Sequence, residues 1–201
     1  MAATTIRNSF REVGQAIRRP EQLARRWRDR FTDAEAAPSI VLFLVLLANA
    51  VFGTAVYGMF MHMHRGIEGM TQGAVLFPLA AGVAWAVAFP ALYIINRVLG
   101  SKLDFTTTAL AASITVSFGA TAMLASVPVT WFFSLAVPFD IVRWGVNLVI
   151  FAGVGIAMID VLLRILQAVE PNHSRGYPFI WLMLLATLGA QLFALFGLFQ
   201  F

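Results

Sequence analysis

The sequence predicts an all-α fold, a polytopic transmembrane helical bundle of about five spans with amphipathic interfacial helices at its N-terminus. Of its 201 residues, 60% are hydrophobic and 12% are charged, whereas soluble domains are about 45–50% apolar. The mean hydropathy is +0.80. Apolar runs long enough to cross a hydrocarbon core of about 30 Å, which takes about 20 helical residues, occur at five places.

These five runs are the predicted membrane spans. They lie at Ser39–Met61, Gly73–Leu99, Phe105–Val127, Ile141–Leu163 and Tyr177–Phe201. The second run contains Pro78 and Pro90, which we expect to kink it, as neighbouring helices allow in membranes. Beyond the third run the apolar sequence continues, and we expect Pro128 and Pro138 to end the helix and form an interfacial turn, with Trp131 at headgroup depth.

Residues 1–38 form a basic segment that precedes the transmembrane domain of residues 39–201, and they hold eight of the fourteen Lys and Arg. Apolar residues recur at helical spacing within it, with arginines on the opposite face. Two such helices fit the headgroup layer of an anionic inner leaflet. The alternative is a helical pair that rests on the protein's own loops. The predicted membrane-surface anchor consists of Phe10, Arg18, Arg19, Arg25, Arg26 and Trp27.

The distribution of Lys and Arg predicts the orientation. With the N-terminus in the cytoplasm, twelve of these residues lie inside, and only Arg65 and Arg143 lie outside, in agreement with the positive-inside rule. Five spans then place the C-terminus outside. Because the basic charge is concentrated in one segment, we expect no nucleic-acid partner. The absence of cysteine removes disulfides and thiolate chemistry.

The middle of the chain resembles a known family. From Phe89 to Leu135 the sequence reads FPALYIINRVLGSKLDFTTTALAASITVSFGATAMLASVPVTWFFSL, which is similar to the bacterial relatives of the Yip-type membrane proteins, a group named for eukaryotic members that bind small GTPases. The similar features are a Pro-containing second span, a short loop with Gly100, a third span rich in small residues, and IRRPEQLARRW before a five-span body. The resemblance implies a helical integral membrane protein with a cytosolic N-terminus that acts through protein or lipid contacts, and it supplies no catalytic or ligand motif.

Small residues recur along the last three spans, where they let helix backbones approach closely. They serve either the bundle itself or a partner. The predicted helix-packing residues are Ser113, Ser117, Gly153, Ala157, Ala186, Ala190 and Ala194. Among polar side chains near the membrane centre, Asn147 and Gln191 suit hydrogen bonds between helices better than an ion pathway, which usually needs ionisable groups.

The charged residues of the spans lie near helix ends. Asp160 and Arg164 are one turn apart, and we expect a local ion pair. Asp140 is expected to cap the fourth span, with Arg143 three residues on. The run SKLD before the third span has the spacing of a capping box with Ser101 as the cap.

The run GMFMHMHRGIEGM, residues 58–70, places His62 and His64 among four methionines. Imidazole and thioether ligands suit copper, especially Cu(I), so these histidines are candidate metal ligands. In a helix they point about 200° apart, so they share an ion only if the helix has already ended. The alternative, which we favour, is an ordinary end of the first span with both histidines at the water boundary. No cofactor is predicted.

We therefore expect a non-enzymatic integral inner-membrane scaffold or accessory subunit of a membrane protein complex. It would act through helix packing and lipid-surface anchoring, with the anionic inner leaflet and other membrane proteins as partners. The alternative is a small permease-like or channel-like transport protein that uses the kinked second span and the polar third span.

Overall fold

A computed structural model of the chain describes residues 14, 18–32, 40–98, 100–170, 183, 187, 191 and 194. Within them the protein is helical and contains no strand. The elements are α1 (Pro20–Thr32), α2 (Ile40–Met61), a 3-10 turn (Met63–Arg65), α3 (Gly66–Val98), α4 (Phe105–Ala136) and α5 (Asp140–Val169). In this described part, α2 to α5 are four helices long and apolar enough to cross a membrane.

The first, second and fourth predicted spans correspond to α2, α3 and α5. The predicted fifth span, Tyr177–Phe201, lies outside the described residues except for single positions. Helix α3 keeps both Pro78 and Pro90 inside it. In hydrocarbon, each backbone group that lacks a hydrogen bond costs several kcal/mol, which favours continuous helix over the whole length of an apolar run.

Helix α4 corrects the prediction for the third span. It runs through Pro128 and ends at Ala136, so the expected helix end at Val127 and turn after it are wrong. Pro128 gives up one backbone hydrogen bond, whereas leaving the helix inside an apolar stretch would expose several backbone groups. Pro138 does follow the helix end, and Val137 before it is extended, with φ −115° and ψ 118°, as expected for a residue that precedes proline.

The four long helices alternate in direction. Helix α2 packs between α3 and α4, α5 packs against α4, and α1 lies against α5 and α4. We call the end with the α2–α3 and α4–α5 connections, residues 62–65 and 137–139, the histidine end. We call the opposite end, with the α3–α4 connection of residues 100–104, the basic end.

Helix α1 lies at the basic end, and part of its apolar face is covered by the protein. Leu23 and Ala24 are buried in one cluster with Leu162 and Ile165 of α5. Leu23 therefore packs against a helix of the bundle, whereas the alternative hypothesis placed this segment on the protein's loops. The predicted anchor residues Arg18, Arg19, Arg25 and Arg26 are exposed. Phe10 and the side chain of Trp27 lie outside the described part of the chain, and the anchor role stays a prediction.

Two close approaches fix α2 between its neighbours. A Cβ atom added to Gly53 would lie 2.5 Å from the carbonyl oxygen of Ala120 on α4. Gly58 and Gly73 face each other across the α2–α3 contact, where a Cβ on either would lie under 3.0 Å from the other's carbonyl oxygen. Helix backbones approach this closely only where side chains are small.

We predict that Gly58→Ala destabilises the bundle by about 1–3 kcal/mol, because the added methyl group has to push α2 and α3 apart. Thermal unfolding of the purified protein in detergent measures the effect. Gly82→Ala is the matched control, since a Cβ at this helical glycine meets no atom within 4 Å. Equal unfolding temperatures for the two variants would contradict the close-packed contact.

Candidate functional site

The polar side chains inside the bundle form the candidate site, and the first of them belongs to α2. The side-chain amide of Asn49 donates to α4 at three oxygen atoms. These are the carbonyl oxygen of Ser117 at 3.1 Å, the Ser117 Oγ at 2.8 Å and the Thr121 Oγ1 at 3.1 Å. Ser117 is fully buried, so this contact lies inside the bundle and joins α2 to α4.

A second polar contact lies nearer the histidine end and joins α2 to α5. The Tyr57 hydroxyl donates to the Asn147 Oδ1 at 2.6 Å. The Asn147 amide in turn donates to the Arg143 carbonyl oxygen at 2.8 Å. The prediction that Asn147 bonds between helices is therefore confirmed.

Aromatic packing holds the Tyr57 ring in place. Its centroid lies 5.7 Å from that of Phe77 on α3 and 5.6 Å from that of Phe151 on α5. The three rings and the hydrogen bond thus link α2 to both α3 and α5. A buried tyrosine needs such a partner for its hydroxyl, and here the partner is a neutral amide.

The interior arrangement suits adhesion between helices better than proton or ion transfer. The contacts described above between α2, α4 and α5 are made by amides, hydroxyls and carbonyls, none of which changes its charge near neutral pH. Ionisable side chains of α5 pair along their own helix, as described below. The described interior therefore resembles the hydrogen-bonded contacts of packed membrane helices.

His62 and His64 lie where α2 turns into α3. The helix ends at Met61 and a 3-10 turn follows, so the geometric condition for a shared ion is met. However, His62 is only 3% exposed, and its Nδ1 lies 3.0 Å from the Gly58 carbonyl oxygen. The expectation that this histidine lies at the water boundary is wrong, because α3 begins at once and packs over it.

The role of these histidines as metal ligands stays a prediction. Among the described residues, no group of three His, Cys, Asp or Glu side chains has the spacing to hold a metal ion. Met61, one of the nearby thioethers, is buried in a core cluster with Tyr57 and Phe77. The sulfur atom of Met61 is therefore part of the hydrophobic packing.

The predicted helix-packing residues have different surroundings. Ser117 bonds to α2, and Ser113 donates to the Ala109 carbonyl oxygen of its own helix at 2.8 Å. Gly153 is exposed, and a Cβ there would meet no described atom within 4 Å. Ala157 is partly buried and Ala194 is exposed. Ala186 and Ala190 lie outside the described residues, so a packing role for the last span stays a prediction.

None of the known protein-family models matches this chain. No curated protein and no solved structure matches it either. The Yip-type resemblance therefore stays a prediction.

The predicted ion pairs at the helix ends are present, but two predicted caps are wrong. Arg164 pairs with Asp160 at 2.9 Å, and Arg143 pairs with Asp140. The N-cap of α5 is Phe139, since Asp140 is already the first helical residue.

The cap of α4 is Asp104, whose carboxylate accepts from the Thr107 amide at 3.3 Å. Ser101, the predicted cap, instead donates to Glu170 at the end of α5, with 2.7 Å between the oxygen atoms. Glu170 also accepts from the Lys102 amide at 2.9 Å. As a cap, the Ser101 hydroxyl would accept from an amide at the start of α4, but here it donates to the Glu170 carboxylate, which ties the α3–α4 connection to α5.

The sequence does not predict two residues of this site, Asn49 and Tyr57. Asn49 was not identified, although one amide among the apolar residues of α2 is a signal of an interhelical contact. Tyr57 was also missed, because a tyrosine near a span end is typical of the membrane interface. Its burial depends on contacts with α3 and α5 that the sequence does not reveal.

We predict that Tyr57→Phe destabilises the protein by about 1–3 kcal/mol, because the buried Asn147 carbonyl oxygen loses its donor. The measurement is thermal unfolding in mild detergent. Tyr93→Phe removes the same hydroxyl group from a partly exposed ring at the basic end and is expected to change stability by less than about 0.5 kcal/mol. Indistinguishable losses in the two variants would refute the Tyr57–Asn147 contact.

Proposed function

We propose that the chain is a non-enzymatic integral membrane scaffold or accessory subunit of a bacterial inner-membrane protein complex. In this proposal the N-terminus is cytoplasmic, the five spans place the C-terminus outside, and α1 keeps its arginines near anionic headgroups. Four apolar helices support the membrane location. The twelve-to-two bias of Lys and Arg supports the orientation.

One observation carries the proposal, and it concerns the outward face of α5. Asn147 points into the bundle, whereas Val149 and Ile156 are 72% and 67% exposed. Between them lies Gly153, whose surroundings are open. A glycine flanked by branched apolar side chains allows another membrane helix to approach closely.

The interior polar contacts support a structural role. Asn49 and Asn147 each bond to a neighbouring helix, and Asp160 bonds to Arg164 on its own helix. A permease-like function needs polar groups along a path for solute. These amides are instead used to hold helices together, so we favour the scaffold over the transport alternative.

We predict that a partner membrane protein purifies with this chain in stoichiometric amount in mild detergent, and that Gly153→Leu removes it. The larger side chain fills the open face without entering the bundle, so the free energy of unfolding should stay within about 0.5 kcal/mol of the wild-type value. Quantitative mass spectrometry of the purified complex measures the partner. Ala48→Leu, at an exposed alanine of α2, is the matched control and should retain it.

Either of two results would contradict the scaffold proposal. In the first, the protein purifies alone and liposomes that contain it pass a solute. In the second, cross-linking from position 153 reaches only residues 177–201 of the same chain, so that the predicted fifth span covers this face of α5.

A further inference from the structure

An apolar groove of about 330 Å³ lies between α2, α3 and α4. Its volume falls in the range of small-molecule sites, about 300–1,000 Å³. We refer to it as the groove. Residues that line it include Leu46, Ala50, Gly82, Ala86, Ala109 and Ser113.

The groove follows from the way α3 is attached. At the histidine end, Gly58 and Gly73 hold α3 against α2. At the basic end, the Phe105 ring of α4 meets the rings of Phe89 and Tyr93, with centroid distances of 5.2 Å and 5.4 Å. Between these two attachments the side chains of α3 that face the groove are largely small, and they leave the space open.

The walls of the groove suit hydrocarbon. Thr54 and Ser113 contribute hydroxyl groups, and each donates to a carbonyl oxygen of its own helix. Along α2 the groove extends from Leu46 to Thr54, which is about 12 Å at a rise of about 1.5 Å per residue. Along α3 it extends from Pro78 to Phe89, which is about 17 Å. The groove is therefore about as long as one leaflet of a hydrocarbon core of about 30 Å.

On α4 the groove lies in the leaflet at the basic end. Ala109 lies in the second turn of α4, close to the connection that carries Lys102. On α3, Ala86 and Arg97 are separated by three helical turns and so lie on nearly the same face of the helix. A chain that joins the space beside Ala86 to Arg97 has to pass along the rings of Phe89 and Tyr93.

Arg97 and Lys102 differ from the arginines of α5 in their ion-pair partners. Arg143 and Arg164 each pair with a carboxylate. In the described part of the chain, neither Arg97 nor Lys102 has an ion pair. The Arg97 guanidinium donates to the Ser101 carbonyl oxygen at 3.3 Å and lies 5.9 Å from the Tyr93 ring centroid.

Two carboxylates lie at this connection, those of Asp104 and Glu170. Asp104 accepts from the Thr107 amide as the cap of α4, and the two oxygen atoms of Glu170 accept from the Ser101 hydroxyl and from the backbone amide of Lys102. The Lys102 side chain is exposed, and together with Arg97 it places positive charge at the headgroup level of the leaflet that contains the groove.

We propose that the groove binds one acyl chain of an anionic phospholipid, and that the lipid phosphate lies against Arg97 and Lys102. The apolar walls match the chain, and the two basic side chains match the headgroup. The headgroup contact contributes about a five-fold preference for an anionic lipid per basic residue, in line with the attraction of Lys and Arg to anionic membranes. This site is separate from the open face of α5.

Native mass spectrometry of the full-length protein in detergent tests the proposal, with phosphatidylglycerol and phosphatidylcholine of identical acyl chains as probes. Wild-type protein should retain one phosphatidylglycerol molecule at concentrations where phosphatidylcholine is lost. Ala86→Phe fills the groove and should reduce the retention of both lipids at least ten-fold. Ala48→Phe, at an exposed position of α2 outside the groove, is the control and should retain them.

The double variant Arg97→Gln and Lys102→Gln tests the headgroup contact separately. It should bind both lipids with equal affinity, whereas Arg65→Gln, at the histidine end, should keep the preference for phosphatidylglycerol. A phosphatidylglycerol with a photoreactive diazirine in its acyl chain should cross-link to residues 78–89 and 109–116. Gly82→Leu provides a second groove-filling variant if Ala86→Phe lowers the yield of folded protein.

Four results would overturn the proposal. Unchanged lipid retention in a folded groove-filling variant would show that the acyl chain binds elsewhere, and so would diazirine cross-links spread evenly over the lipid-facing surface. A preference for phosphatidylglycerol that survives the loss of both basic residues would refute the headgroup contact. Cross-linking of a partner protein into the groove, with no lipid bound, would assign the groove to a protein.

Discussion

The contact between α2 and α4 is the interaction on which the rest of the bundle depends. In a bilayer, burying apolar side chains gives helices no advantage over contact with lipid, so close packing and hydrogen bonds have to hold them together. Gly53 lets α2 approach the Ala120 carbonyl group of α4, and one turn away Asn49 bonds to Ser117 and Thr121. Helix α3 then attaches to the opposite side of α2, and α5 attaches to α4.

Hydrogen bonds between helices require their polar side chains to face the interior of the bundle. The outer surfaces of the helices are therefore largely apolar, which has a consequence for function. The amides and the buried tyrosine hold helices in register, and the ionisable groups of α5 pair along their own helix. Among the described residues, two surfaces that suit other molecules are the open face of α5 and the groove beside α3. Both suit apolar ligands within the membrane, one a helix and the other an acyl chain.

The sequence predicts the long apolar helices well, because hydrocarbon forces every backbone group to bond within its own segment. It therefore locates α2 to within a residue of Ser39–Met61, and it identifies Asn147 and the local pair of Asp160 with Arg164. The predicted helix end before Pro128 is wrong. Proline loses one backbone hydrogen bond, but ending the helix inside an apolar stretch would cost more, because several backbone groups would lose theirs.

The contacts within the candidate site could be predicted only in part, since they depend on which helix faces which. His62 was expected at the water boundary, yet it is buried because α3 folds back within four residues of the end of α2. Ser101 was expected to cap α4, but it bonds to Glu170, which lies 69 positions later in the chain. Neither partner follows from local sequence spacing.

A double-mutant cycle with Asn49→Ala and Ser117→Ala tests the central contact most directly. The free energy of unfolding is measured in the same detergent for the wild type, the two single variants and the double variant. A second cycle with Asn49→Ala and Ser126→Ala is the control, because the Ser126 hydroxyl donates to the Ala122 carbonyl oxygen on its own helix. We expect a coupling energy of about 0.6–1.7 kcal/mol between Asn49 and Ser117, the range of hydrogen bonds between membrane helices. The control pair should be additive within about 0.5 kcal/mol. If the Asn49 and Ser117 effects are as additive as those of the control, α2 and α4 are not held together by this contact.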